Sequence, residues 1–284
     1  MSYRTLLLHL DMARPSHTRI DVAVRLAALH GARIVGLFSP HADEPPSYYL
    51  NRELGERLDR LRTLQTRIAM ELESHLKESA ARVQVPVDWT VARQHPNQAV
   101  PLHARHADLT LVGQNDPEDR YGFVALGFVA HVMQQAGRPV LVLPRPSEEI
   151  GGMRSTLGKR PLLAWDCSRS ATRALHDAIP LLRQAEHCDL LSINARYDDE
   201  LLMWRPGEEI AGVLATHGVS CTVHQRECIQ TRDVGAALLG YAREFESDLI
   251  VAGAYGHARF GEWVLGGVTR HLLDVSPLPV LFSH

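Results

Sequence analysis

The residues of this sequence whose spacing carries the most chemistry are the glycines of the stretch Leu249 to Thr269, at Gly253, Gly256, Gly261, Gly266 and Gly267. The stretch opens as a short apolar run of strand type, breaks into the glycines and resumes as a helical pattern. A strand that ends in a glycine-rich loop feeding a helix is a common way to hold phosphate. Glycine lets the backbone take positive φ and lets a ligand come close, while the free N–H groups and dipole at the helix start favour an anion. His257 and Arg259 lie in the same loop, where a cation would neutralise phosphate charge. The competing reading is a structural turn that needs glycine for backbone geometry alone.

Other chemistry is sparse. The chain has no G-x-x-x-x-G-K-[ST] loop, no G-x-S-x-G elbow and no S-G-G-x-D-S pyrophosphatase-type loop, and no general base is identifiable. His103 and His106 have the i, i+3 spacing of a metal pair but no third ligand nearby, so they read as solvated surface and no metal site is expected. Cys167, Cys188, Cys221 and Cys228 show no C-x-x-C spacing, which argues against a zinc cage or a dithiol site and for reduced thiols in small apolar positions.

The elements that must position the loop alternate between strands and helices. Strands are expected at Thr5 to Leu10, Arg33 to Phe38, Val85 to Val91, Leu109 to Val112 and Pro139 to Leu143. Between them fall a helix after Pro15-Ser16-His17-Thr18, a long charged helix from about Asn51 to Val83 with a leucine stripe, and shorter helices near Ala99 to His106 and Phe123 to Gln135. The second half repeats the order: strands at Leu162 to Trp165, Asp189 to Ile193, Ser220 to Gln225, Leu249 to Ala252 and Val280 to Phe282, with helices at Ser168 to Arg183, where Pro180 is expected to kink or shorten it, and Val234 to Phe245. Such alternation implies a parallel sheet covered on both faces.

The register points to duplication. Asp11 and Asp166 each end the first strand of their half, Ala107-Asp108-Leu109 answers Ser247-Asp248-Leu249, and Gly137-Arg138-Pro139-Val140-Leu141 answers Pro277-Leu278-Pro279-Val280-Leu281. Proline, glycine and charge without apolar period mark residues 147–160 as a linker between a first domain at 1–146 and a second at 161–284. Two copies of one αβ unit should pack as a pseudo-dimer, with the two Pro-Val-Leu strands pairing within the chain. A further homodimer would be compatible with that arrangement.

At 284 residues the chain is long enough for two cores, and its 45% hydrophobic and 22% charged residues are those of a globular protein. The net charge of −3 gives no bulk electrostatic case for nucleic acid or an acidic membrane surface. The apolar run near the N-terminus is too short for a signal peptide, and no run reaches a bilayer-spanning length, so the expected compartment is the cytoplasm.

With the Asp-ended first strand, the repeat and the glycine pattern in view, the chain resembles the universal stress protein family in its tandem, two-domain form. The most specific part is Gly253-x2-Gly256-x9-Gly266, followed by Val268-Thr269 and a Pro-Val-Leu strand. The resemblance implies an α/β fold of two repeated, open, five-stranded parallel-sheet domains with helices on both faces, Rossmann-like and of the adenine nucleotide alpha hydrolase-like type. Some members of that family bind ATP and others do not.

Carried over by position, the resemblance puts Asp166 against the adenosine part and Ile193 near adenine. It puts Ala252 and Gly253 beside ribose and base, and Gly256, Gly266, Gly267, Val268 and Thr269 at the phosphates. The implied ligand is ATP, ADP or AMP, with or without Mg. The position of Gly267 is usually Ser or Thr, so a phosphate hydrogen bond worth roughly 1.5 to 3 kcal/mol is missing and about ten- to a hundredfold weaker binding is expected. In the first half Asp116 and Leu126 replace Gly256 and Gly266, and Asp116, Glu118 and Asp119 would repel a polyphosphate. No nucleotide is expected there, and Asp11 reads as a helix-capping acid. The implied role is a non-catalytic stress-response protein. The alternatives are a nucleotide-independent interaction scaffold and a slow ATP hydrolase or autophosphorylating protein.

Overall fold

The computed structural model describes residues 2–13, 16–40, 52–115, 127–145, 157–194, 206–228, 234–254 and 266–284. It divides into two compact units, Tyr3–Ala136 and Gly137–His284. Residues 147–156 of the expected linker lie outside the described residues.

The N-terminal unit runs β1 (Thr5–Leu10), α1 (Ser16–His30), β2 (Arg33–Phe38), α2 (Arg52–Ala81), β3 (Val87–Val91), α3 (Pro96–Ala104), β4 (Leu109–Gly113) and α4 (Phe128–Ala136). Its strands lie in the order β3-β2-β1-β4, all parallel. β1 is central, and Leu6, Leu7 and Leu8 are at most 1% exposed, so both of its faces are covered. That is why its sequence is a continuous apolar run rather than an alternating one. Each such leucine contributes roughly 1.5–3 kcal/mol by leaving water.

The C-terminal unit contains β5 (Val140–Leu143), β6 (Pro161–Ala164), α5 (Arg169–Leu182), β7 (Asp189–Ile193), α6 (Pro206–Thr216), β8 (Thr222–Arg226), α7 (Val234–Glu244), β9 (Leu249–Gly253), α8 (Gly267–Val275) and β10 (Val280–Ser283). Its strand order is β5-β10-β9-β6-β7-β8. The strands are parallel except for β5, which runs antiparallel to β10 with Val142 opposite Val280 and Val140 opposite Phe282. The two Pro-Val-Leu runs therefore pair, and the first of them belongs by contact to the C-terminal unit.

One helix is new to the sequence reading and one expectation is corrected. α6 has no counterpart there, since a Pro-Gly pair more often marks a turn than opens a helix. Proline is nevertheless favoured in a helix's first turn, and Glu208 and Glu209 there suit the dipole. Pro180 does not shorten α5, which continues to Leu182.

The duplicated Ala/Ser-Asp-Leu segments do the same work in each unit. Asp108 accepts from the backbone N–H groups of Arg4 (2.7 Å) and Thr5 (3.0 Å), while its own N–H donates to the Thr5 carbonyl. Asp248 accepts from Gly158 (3.1 Å), Lys159 (2.9 Å) and Arg160 (3.0 Å), and its N–H donates to the Arg160 carbonyl. Each carboxylate thus staples the start of its unit's central strand to the neighbouring strand, β4 or β9. Asp248 is buried and serves three donors. Asp248→Ala is accordingly expected to cost roughly 2–4 kcal/mol, and Asp108→Ala less, measured by urea unfolding of the full chain.

Candidate functional site

In each unit the chain runs one way from the central strand and then returns to its other side, so the strand order reverses between β1 and β4 and between β6 and β9. A crevice outside the carboxyl ends of the strands at such a switch point is where doubly wound sheets take ligands. The register Leu163↔Val251 brings the ends of β6 and β9 side by side, and Ala164↔Leu191 brings the end of β7 beside them. Of the residues expected at a ligand, Asp166, Ile193, Ala252 and Gly253 lie at these three strand ends. Gly266, Gly267, Val268 and Thr269 form the start of α8, the helix that follows β9.

Asp166 is exposed, two residues past the end of β6. Its Oδ1 accepts from the Ser168 N–H at 3.0 Å, closing a tight turn in which Cys167 takes left-handed backbone (φ 61°). Asp166 is not the cap of α5. That role belongs to Ser168, whose Oγ accepts from the Ala171 N–H at 3.1 Å. Ile193 is half-buried, and the Asn194 that follows it ties β7 to the end of β8 through two hydrogen bonds with the Cys228 backbone (2.6 and 3.0 Å).

The glycines divide by physical cause. Gly253 is required by packing: a Cβ there would collide with the Ala171 nitrogen and lie 2.6 Å from the Ser170 carbonyl carbon, because the first turn of α5 crosses the end of β9. Gly266 and Gly267 are not required in that way. Gly266 has φ −56°, which any residue adopts, and a Cβ on Gly267 would meet nothing within 4 Å. Gly266 is the N-cap of α8 and supplies no side-chain cap to the first N–H groups of the helix. Gly267 is exposed, Val268 half-buried and Thr269 buried. An anion fits such an uncapped helix start with open space above its glycines. Gly256, Gly261, His257 and Arg259 lie outside the described residues, as do Asp116, Glu118 and Asp119 of the first half.

The same crevice in the N-terminal unit is filled from within. Asp11 is 3% exposed and Arg19 of α1 is 3% exposed. The Arg19 Nη2 donates to Asp11 Oδ1 and, at 2.7 Å, to Ser16 Oγ. Ser16 Oγ donates to Asp11 Oδ1 (3.1 Å), and the Ala13 N–H donates to the same oxygen (3.0 Å). The guanidinium also lies over Gly113, the counterpart of Gly253, where a Cβ would contact Nη1 and sit 3.2 Å from Cζ. Asp11 is therefore the anchor of a buried ion pair, which corrects its reading as a helix-capping acid. Burial pushes the Asp11 carboxyl up, but the Arg19 guanidinium and His9 outweigh that and hold it below the ordinary carboxylate range. Burial drives His9 down to about 4, Arg19 adds to this, and Asp11 and the Ser39 carbonyl offset only part of it.

Sequence reasoning missed Arg19, although a signal existed. At the spacing that joins Asp11 to Asp166, Ser16 falls on Ala171 and Arg19 on Ala174, which is 1% exposed. An arginine on an otherwise apolar helix face, matched by alanine in the other copy, marks a cation placed for an internal acid. Among the described residues no group of His, Cys, Asp and Glu could hold a metal ion, and no helix is long and apolar enough to cross a membrane.

Residues 159–284 match the family model described as Universal stress protein family. Among solved structures, the chain is similar to a universal stress protein from Archaeoglobus fulgidus DSM 4304 (TM-score 0.72, 15% identity, 98% of this chain and 97% of that one). It is also similar to a functionally unknown protein from Pseudomonas aeruginosa PAO1 (TM-score 0.60, 14% identity, 99% of this chain and 92% of that one). At these identities the likeness is one of fold. No curated protein matches the chain.

Two outcomes follow for the filled crevice. Arg19→Ala strands a buried carboxylate and should cost roughly 3–5 kcal/mol in urea unfolding, whereas the double variant Asp11→Ala/Arg19→Ala should recover part of that loss. His9 is neutral in the fold but takes up a proton near 6.5 when unfolded, so between those values the unfolded chain binds more protons. Stability of the wild-type chain should fall by roughly 3 kcal/mol as the pH drops from about 6.5 towards 4 on this account. The depressed Asp11 adds its own loss only below the ordinary carboxylate range. His9→Leu should flatten the slope in the higher window, read from urea midpoints across it.

Proposed function

We propose that this chain, whose residues 159–284 match the Universal stress protein family model, is a non-catalytic stress-response protein that binds one adenine nucleotide (ATP, ADP or AMP) in its C-terminal unit. The observation that carries the reading is the contrast between the crevices. At β6/β9 the strand-end acid Asp166 is exposed and the start of α8 is an uncapped glycine pair with open space above it. At β1/β4 the equivalent acid is buried under Arg19, which supports an N-terminal unit that takes no nucleotide.

In this reading the N–H groups at the start of α8 and its dipole hold the phosphates, with Gly256 completing the cradle. The Asp166 carboxylate accepts from a ribose hydroxyl, and Ile193, Ala252 and Gly253 meet the ribose and base. Thr269 is buried at the third position of α8 and fixes the helix start beneath the phosphates. Mg, where present, would ride on the phosphates, since no acidic cluster to hold it exists among the described residues. Among the described residues the site offers charge stabilisation and no positioned general base, which favours binding over turnover.

The second reading is a nucleotide-independent scaffold, favoured by the stripe along α2. Leu58, Leu61, Leu64 and Ile68 are only half-buried there, and Met70 is 67% exposed. The two readings separate on ligand. Denaturing the purified native chain and separating the released small molecules should yield an adenine nucleotide. Because a Cβ at Gly267 meets nothing, Gly267→Ser should fold normally and tighten ATP binding by about ten- to a hundredfold, as measured by calorimetric titration. Gly256→Trp should abolish binding while preserving the fold. No released nucleotide and no heat with millimolar ATP, ADP or AMP would leave the scaffold reading standing.

A further inference from the structure

Two of the four cysteines, distant from each other in sequence, meet across the sheet. Cys188 immediately precedes β7 and Cys221 immediately precedes β8. The strands pair in parallel with Asp189 opposite Thr222, and the Thr222 N–H donates to the Cys188 carbonyl at 2.8 Å. Neighbouring strands stand about 4.8 Å apart, within the Cα separation that a disulfide spans. The two sulfurs are 3.1 Å apart and joined by a thiol hydrogen bond. No C-x-x-C spacing announces such a pair, because sheet register rather than chain spacing creates it. All four cysteines are free thiols, as the sequence suggests, but the sequence gives no sign that two of them are neighbours.

We propose that Cys188 and Cys221 are a redox site that closes to a reversible disulfide across β7 and β8, with a hydroperoxide as the oxidant. The half-buried Cys221 is the attacking sulfur and the buried Cys188 the resolving one. The Cys221 thiolate attacks the distal peroxide oxygen, breaking the O–O bond, taking that hydroxyl as a sulfenic acid and displacing an alkoxide that leaves as ROH with one proton. The Cys188 sulfur then attacks the sulfenic sulfur, forming the S–S bond and expelling water that carries the Cys188 proton. Two thiols lose two electrons in total and the peroxide gains them.

The surroundings support this division of labour. The hydrogen bond with Cys188 holds the Cys221 thiol below its ordinary range, although burial and Asp189 push the other way. That same hydrogen bond, with burial and the charges of Cys221 and Asp189, pushes the Cys188 thiol up. A thiol proton lies between the two sulfurs, and the half-buried Cys221 is the one an oxidant reaches more readily. Asp189 itself is buried and engaged by His224 Nε2 at 2.7 Å and His187 Nε2 at 3.2 Å. Cys167, although exposed, has its thiol pushed up by burial and by Asp166. The pair lies at the starts of β7 and β8, the opposite end of the strands from the β6/β9 crevice. Its closure is therefore independent of whether a nucleotide binds there.

The test treats the native full-length chain with hydrogen peroxide, alkylates the remaining thiols and maps the peptides by mass. The expected product is one cross-link between the peptides bearing Cys188 and Cys221, reversed by dithiothreitol, with Cys167 and Cys228 still alkylated. In Cys188→Ser the sulfenic acid should persist at Cys221 and be trapped by dimedone. In Cys221→Ser, thiol loss at Cys188 should slow by about tenfold or more. A disulfide through Cys167 or Cys228 in place of this one, four alkylatable thiols after peroxide, or undiminished oxidation of Cys188 in Cys221→Ser would overturn the proposal.

Discussion

A carboxylate at the end of a central parallel strand, beside the point where strand order reverses, must have its charge met by something. The two halves of this chain answer that constraint differently, and much else follows. In the N-terminal unit Asp11 is met by Arg19, and the crevice becomes core: the guanidinium covers Gly113, Ser16 completes the network, and His9 is held neutral beside it. In the C-terminal unit the position of Arg19 is Ala174, and Asp166 is exposed at the crevice. The same position in a duplicated framework is thus packed into the interior in one unit and exposed in the other.

The frame that holds both crevices is common to them. Asp108 and Asp248 sit at the other end of the strands and pin the start of each central strand with charge-assisted hydrogen bonds. The starts of the central strands are consequently fixed by charge-assisted hydrogen bonds. The Cys188–Cys221 pair occupies the starts as well, at the β7/β8 edge. The unit therefore carries the paired thiols and the candidate binding crevice at opposite ends of one sheet.

Much of the fold was legible because the strands obey simple patterns. Thr5–Leu10, Arg33–Phe38 and Asp189–Ile193 read off the sequence to the residue, since each is a short apolar run bounded by a polar or glycine break. The paired Asp108 and Asp248 correctly marked the repeat because their role is backbone geometry, which duplication preserves. The misses have physical reasons. Pro206-Gly207 punctuates like a turn and yet opens α6, because a helix's first turn has no use for the proline N–H. The antiparallel course of β5 follows from a pairing partner more than a hundred residues away, which local pattern cannot encode. The cysteine pair is invisible for the same reason, since a side chain's partner is set by register and packing, whereas Arg19 leaves a trace that only the alignment of the two halves brings out, an arginine answered by Ala174. Among the described glycines of this stretch, Gly253 serves the close approach of α5, whereas Gly266 and Gly267 are free of such a constraint.

The central claim concerns which crevice is open, and the stoichiometry of nucleotide binding tests it most directly. Calorimetric titration of the full chain with ATP, ADP and AMP should give one site per chain for the nucleotide that binds. That site should be lost in Asp166→Ala and untouched in Asp11→Asn. Two sites per chain, no site, or binding that survives Asp166→Ala and disappears with Asp11→Asn would contradict the account.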